Sequence, residues 1–303
     1  MRPILTVGSV AFDSVKTPFG EVSRVVAGAA TYFSIAASFF AGVRLVGVVG
    51  EDFSDEHLLP FRDRQIDMAG LQRVAGETFR WRGEYSADLS TRETIYTHLN
   101  VFEAFRPTIP EAFRDSRYVF LANIHPSLQL EVLDQVSDPE FVALDTMNYW
   151  IDGTPAELAR VLARVDVLVI NDEEARQLSG EANLVKAAKS IRAMGPSRVV
   201  IKRGEHGVLT TRGDEFFAVP ALPLETVRDP TGAGDTFAGG FMGHLAKCGR
   251  LSDTAVAQAI IAGSTVASYA VEEFGLDRLL RLKESEVQAR FGEFKRLTHF
   301  DAL

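Results

Sequence analysis

One cysteine, Cys248, stands among 303 residues, so no disulfide can form within the chain. That usage fits a reducing compartment, and Cys248 itself reads as a small helix residue. Positive charge is in short supply as well: 32 Lys and Arg against 41 Asp and Glu leave a formal charge of -9. Nucleic-acid and anionic-membrane binders need a concentrated positive surface, so neither partner is expected and a small molecule is. Long hydrophobic runs are missing too. The longest apolar stretch, residues 29–43, is interrupted by Thr31, Ser34, Ser38 and Gly42 and falls short of a membrane span. The segment Met1–Gly8 lacks the apolar core and small-residue cleavage site of a signal peptide, which makes the cytoplasm the expected location. None of the six histidines falls in a metal-ligand spacing, and no Gly-Lys-Ser or Gly-Lys-Thr follows a glycine-rich loop, so a P-loop is excluded. Without a Pro-, Ser- or Gly-rich linker, the chain reads as one main domain, 1–303, with an appendage.

What is present is an alternation. Short apolar runs bounded by turn residues recur at Ile4–Val7, Leu45–Val49, Tyr118–Leu121, Phe141–Leu144, Val165–Ile170 and Arg198–Ile201. Segments with helical spacing lie between most of them, such as Thr31–Phe40, Leu128–Val136, Pro155–Ala163, Glu173–Leu178 and Leu184–Met194. Strands buried on both faces and separated by helices predict an α/β fold with a mostly parallel central sheet. Residues 77–105 break the rhythm, because Phe79, Trp81 and Tyr85, then Ile95, Thr97 and Leu99, alternate with polar residues. This is the pattern of a half-exposed β-ribbon, which must cover a sheet, a substrate or a second subunit. We expect it to form a small β lid together with residues 12–27, and its outer face to pair with a second copy as a homodimer.

The glycine-dense segment is Arg228-Asp229-Pro230-Thr231-Gly232-Ala233-Gly234-Asp235-Thr236-Phe237. Pro230 disfavours helix at Asp229, while Gly232 and Gly234 permit backbone angles closed to other residues. A tight turn feeding a helix is expected, and the free amides at a helix start, with its dipole, form an anion site. Asp235 lies in that cradle, where the helix start favours its ionised form and prepares it to take a proton from an alcohol. Base and phosphate site in one segment suit in-line phosphoryl transfer. The same residues also read as a tight loop with Asp235 capping a helix. A dinucleotide site wants its glycines after an early strand, and this motif is late.

The stretch Asp229–Phe237 closely resembles the C-terminal signature of the PfkB, or ribokinase-like, carbohydrate kinase family. Gly8 and Asp13 fit that family's first strand, Val46-Gly47-Val48-Val49-Gly50-Glu51-Asp52 its N-terminal glycine signature, and Asn171-x-x-Glu174 a further motif. The resemblance implies a three-layer ribokinase-like fold and ATP-dependent transfer of the γ-phosphoryl group to a hydroxymethyl group of a sugar or nucleoside. It makes Asp235 the base and Gly232, Ala233 and Gly234 the anion hole. Asn171 and Glu174 would organise Mg²⁺, largely through water, with a monovalent cation such as K⁺ as a further expectation. Taken without the resemblance, Asn171 reads as a helix cap and Glu174 as a first-turn carboxylate, and the shared motif order reverses that reading. Thr231, Lys202, Gly204 and Gly207 would serve the nucleotide, and Gly263, Ser264 and Val266, in the small-residue run from Ile261 to Ala267, its purine. The acceptor side would comprise Asp13, Gly28, Tyr32 and Asn123. Tyr32 departs from the family's usual polar Asn and offers an aromatic face. Phe12, Phe19, Trp81, Phe102 and Phe105 either pack the lid or line the same cleft, and in the second case a nucleoside is as fitting an acceptor as a sugar. A non-catalytic nucleotide-binding regulator on the same fold is the competing class.

Overall fold

The computed structural model describes residues 2–299. Its strands are β1 (Ile4–Val7), β2 (Ala11–Thr17), β3 (Gly20–Ala27), β4 (Val43–Val49), β5 (Asp67–Arg73), β6 (Phe79–Tyr85), β7 (Arg92–His98), β8 (Tyr118–Leu121), β9 (Phe141–Asp145), β10 (Val167–Asn171), β11 (Arg198–Lys202), β12 (Val208–Arg212) and β13 (Glu215–Val219). Among the helices, α1 spans Ala29–Ala37, α2 Leu59–Asp63, α3 Pro126–Gln135, α4 Asn148–Gly153, α5 Pro155–Leu162, α6 Asp172–Ser179, α7 Leu184–Arg192, α8 Ala233–Cys248, α9 Asp253–Ala270, α10 Asp277–Arg281 and α11 Glu284–Leu297. Nine strands form one sheet in the order β13-β12-β11-β10-β9-β8-β1-β4-β5, and four form a second, β3-β2-β6-β7.

From β11 across to β5 every neighbouring pair in the large sheet is parallel; β12 and β13 add an antiparallel edge. The apolar runs explain this, since β1, β8 and β9 are buried at every residue and must be covered on both faces. One face packs Phe33, Phe120, Phe237 and Phe241 under α1, α8 and α9, with the Phe33 and Phe120 rings stacked 4.1 Å apart. The other buries Leu121, Val132, Leu158 and Ile191 under α3, α5 and α7. Parallel register brings the C-terminal ends of β1, β8, β9 and β10 to one edge, where loops of such sheets carry sites.

Gly8 and Asp13 do not share a strand. β1 ends at Val7, and Asp13 lies in β2 of the small sheet. Ser9 diverts the chain: its carbonyl accepts from Ala30 N at 3.1 Å and its Oγ from Ala29 N at 3.0 Å, tying this bend to the start of α1. The expected ribbon is present as the antiparallel pair β6–β7, with the β2–β3 hairpin running alongside through the parallel pair β2–β6. Most of the aromatics considered for the cleft are structural. Phe12 packs on Phe53, Phe102 stacks between Phe79 and Phe105, and Phe19 is exposed. The edge strand β5, polar and half-exposed, carried no apolar run and was not expected. Among the described residues no helix is long and apolar enough to cross a membrane.

Candidate active site

The turn before α8 is braced by its own first residue. Asp229 is buried; its Oδ1 accepts from Thr231 N at 2.9 Å and its Oδ2 from Gly275 N at 3.2 Å. Gly232 caps α8 with φ of 73°, a left-handed angle, and a Cβ there would stand 2.5 Å from the Tyr32 ring. Gly234 behaves differently from expectation. It is already inside α8 with ordinary helical geometry, and what it supplies is room: a Cβ would lie 2.9 Å from Lys202 Nζ. The missing side chain thus lets an ammonium approach the helix start, where Ala233 N already donates to Pro230 O at 3.2 Å while the amides of Gly234 and Asp235 have no acceptor within the helix.

Asp235 occupies the third position of α8. Its carboxyl is pushed up to about 7 by burial first, then by the charge of Asp145, with Lys202 opposing. The expectation that the helix start would hold it ionised is therefore corrected: desolvation and a neighbouring carboxylate outweigh the dipole. Asp145, closing β9, stands 3.8 Å from Lys202 Nζ. Burial raises Asp145 more than that one ammonium lowers it, whereas Lys202 is held protonated because Asp145, Glu174 and Asp235 together outweigh its own desolvation.

At the start of α6, Asn171 and Glu174 form a capping box. Asn171 Oδ1 accepts from Glu174 N at 2.8 Å, and Glu174 Oε2 accepts from Asn171 N at 3.0 Å. The bland reading of this pair is correct as far as it goes, yet Glu174 is pushed up to about 7 by burial, and its Oε1 carries no hydrogen bond to a described residue. Five carboxylates (Asp13, Asp145, Glu174, Asp229 and Asp235) all titrate above their ordinary range here. Such a donor set fits a hard divalent cation held through water and phosphate, because added positive charge would relieve the strain of ionising them together. Among the described residues no three His, Cys, Asp or Glu side chains form a direct metal cage.

On the other side, Asp13 is pushed up to about 8, by burial and by the charges of Asp235 and Asp229. Tyr32 is buried beneath Gly232, its phenol raised well above the usual range by burial and by Asp13. Gly28 caps α1. Asn123 is occupied: it accepts from Trp150 Nε1 at 2.8 Å and donates to Met147 Sδ at 3.0 Å, so its amide braces the start of α4. Thr231 Oγ1 meets the Tyr85 hydroxyl at 3.1 Å, which joins the tip of β6 to the turn before α8.

Gly204 opens a single 3-10 turn and Gly207 closes it, near the C-terminal end of β11. Of the α9 residues, Gly263 packs on Phe237 and Gly240, and Val266 is in the core. Neither presents a surface, because α8 and α9 cross too closely; Ile261, Ser264 and Ala267 form the half-buried stripe instead. Asp145, Tyr85 and Arg92 were missed. Asp145 had a signal, an acid closing an apolar strand at the sheet's C-terminal edge. Tyr85 and Arg92 had none, since only cross-strand register brings them together.

The sequence profile of the pfkB family of carbohydrate kinases matches residues 1–281. The chain belongs to that family. A cytidine kinase of Thermococcus kodakarensis is 30% identical, over 80% of this chain and 88% of its own length. Among solved structures, the nucleoside kinase of Methanocaldococcus jannaschii superposes with a TM-score of 0.77 at 18% identity, covering 97% of this chain and 99% of its own. The ribokinase of Arabidopsis thaliana, complexed with ribose and ATP, gives 0.76 at 18% identity, covering 96% and 98%. These two show a shared fold: the pfkB chain has the ribokinase-like architecture, a large mostly parallel sheet between helices. It is a sugar or nucleoside kinase.

Proposed function

We propose that the protein transfers the γ-phosphoryl group of ATP to the hydroxymethyl group of a nucleoside, with cytidine-type acceptors ahead of free sugars. The observation that supports the chemistry is the Asp235 carboxyl, poised near neutral pH beside a helix start whose missing Cβ at Gly234 admits Lys202. The nucleoside preference draws on the cytidine kinase relative. In this reading Asp13 holds acceptor hydroxyls, and Tyr32 supports the anion turn from beneath. Asp235 takes the hydroxyl proton as the new O–P bond forms, and ADP departs with the electrons of the broken bond. The amides of the Gly232–Gly234 turn and Lys202 meet the charge on the transferring group.

Asn171 and Glu174 would hold Mg²⁺ through water. The ion would supply charge neutralisation for the ATP phosphates. A monovalent cation belongs to the same reading as a test condition. The strip at Gly204, Gly207 and Thr231 borders the phosphates, with Ser264, Ile261 and Ala267 along the purine. The whole chain acts as one kinase domain whose small sheet is a lid, and its exposed Ile95 and Leu99 are the contacts of a homodimer.

Purified protein with ATP and Mg²⁺ should phosphorylate cytidine, inosine or adenosine with higher kcat/KM than ribose or fructose, measured by ADP release and product analysis. Product from free sugars alone would overturn the nucleoside assignment; no product from any acceptor would overturn the proposal. Potassium replacing sodium tests the monovalent ion, and light scattering tests the dimer.

A further inference from the structure

The hairpin β6–β7 presents one face to the acidic cluster, and alternation settles which side chains it carries. Trp81, Gly83 and Tyr85 share a face along β6, and cross-strand register puts Thr94 opposite Gly83 and Arg92 opposite Tyr85. Tyr85 reaches Thr231, so this is the face turned toward the turn before α8. Gly83 leaves no room for a Cβ because the Trp81 indole lies across it, pinned by Nε1 donating to Thr94 Oγ1 at 3.3 Å. The Arg92 guanidinium stacks on that indole, 5.1 Å from the ring centroid. Among the described residues Arg92 makes no ion pair, although its charge acts on Asp13, Tyr85, Glu174 and Asp235 together. A cation stacked on an indole, hydrogen-bonded to the Tyr85 hydroxyl but without a carboxylate partner, and within electrostatic reach of both the acceptor carboxylate and the base is placed for a group that arrives between them.

We infer that Arg92 is a catalytic residue delivered by the small sheet, whose guanidinium contacts the phosphoryl group in flight and makes transfer depend on the Tyr85–Thr231 closure. The inference rests on the kinase reading above. In the step concerned, the acceptor oxygen bonds to phosphorus as its proton passes to Asp235, and the bond to the β-phosphate oxygen breaks with its electrons leaving on ADP. Equatorial charge on the transferring group is then shared among Lys202, the helix-start amides and Arg92. Arginine suits this place because its planar fork can donate to two phosphoryl oxygens while stacked. Gly83 and Trp81 are positioning residues for it.

R92A, R92K and the wild type should be compared in steady-state turnover with cytidine and ATP, and in calorimetric binding of Mg²⁺ADP with and without aluminium fluoride, which mimics the phosphoryl group in transfer. R92A is expected to lower kcat about 10²–10³-fold, the scale for one lost donor to transition-state charge. Cytidine KM, ADP affinity and melting temperature should stay near wild type, since the side chain is exposed. Aluminium fluoride should tighten ADP binding to the wild type and no longer do so for R92A. R92K should recover only part of kcat, and free guanidinium ion should rescue R92A. A kcat within about twofold of wild type, or a raised cytidine KM at unchanged kcat, overturns the inference. Fluoride-enhanced binding retained by R92A overturns it alone, while a wild type lacking that enhancement overturns the kinase reading with it.

Discussion

Two helix starts lie within electrostatic reach of Lys202, and both put an acid at the third position: Glu174 in α6 and Asp235 in α8. Both acids sit near 7, raised chiefly by burial. Their surroundings differ at one residue. Asn171 caps α6 with a side chain, and Glu174 answers by bonding back to the Asn171 amide. Gly232 caps α8 with none, in a left-handed turn, and Asp235 has no capping bond to make. The same local position therefore yields a carboxylate that is half structural in one helix and wholly available in the other. A base must be free to receive a proton, whereas an organiser of a hydrated ion gains from being fixed.

Asp235→Asn tests the contrast hardest. It should lower kcat by about 10²–10⁴. Because the carboxyl is raised, the amide should also raise the melting temperature at pH 8 slightly, a gain absent near pH 4. Full turnover by this variant would remove Asp235 as base. Gly234→Ala is expected next, with a loss of about 10-fold to 10²-fold in kcat as the new Cβ displaces Lys202 from the helix start. Near-normal turnover would show that the approach of the ammonium is incidental.

pH sharpens the comparison further. Log kcat/KM should rise with unit slope and bend near pH 7, where Asp235 loses its proton. Stability of the ligand-free chain should run the other way. From the ordinary 3.8 and 4.5 up to about 7 the folded chain holds more protons on Asp235 and Glu174 than the unfolded chain does. Stability therefore falls as pH rises through that window, and Asp13, pushed up to about 8, extends the fall before it levels off. A melting temperature that climbed from pH 5 to pH 7 would contradict the burial of these acids.

The smallest effects separate the two roles of α6. Asn171→Ala should cost about 1 kcal/mol through the lost cap, seen in denaturant melts. Glu174→Gln keeps an oxygen able to accept from the Asn171 amide, so stability should hold while the magnesium concentration needed for half-maximal rate rises. An unchanged magnesium titration would leave Glu174 as a cap only.

Sequence reading and structure agree best where local pattern and tertiary role coincide. The runs at Ile4–Val7 and Tyr118–Leu121 are strands over those very residues, because an apolar run of strand length has few other uses. Asp13 shows the opposite case: nothing local marked the bend at Ser9 that moves it into another sheet.

By itself the sequence determined the alternating α/β plan, the half-exposed ribbon and the turn-to-helix motif at Asp229–Asp235, since each follows from spacing, side-chain type and backbone allowance within a few residues. Only the tertiary structure decided that Gly234 makes room for Lys202, that burial raises Asp235, and that Arg92 faces the acids. Those properties depend on groups up to about half a chain apart being packed together without water. Electrostatics in such a space is set by the sum of distant neighbours, which no local pattern records.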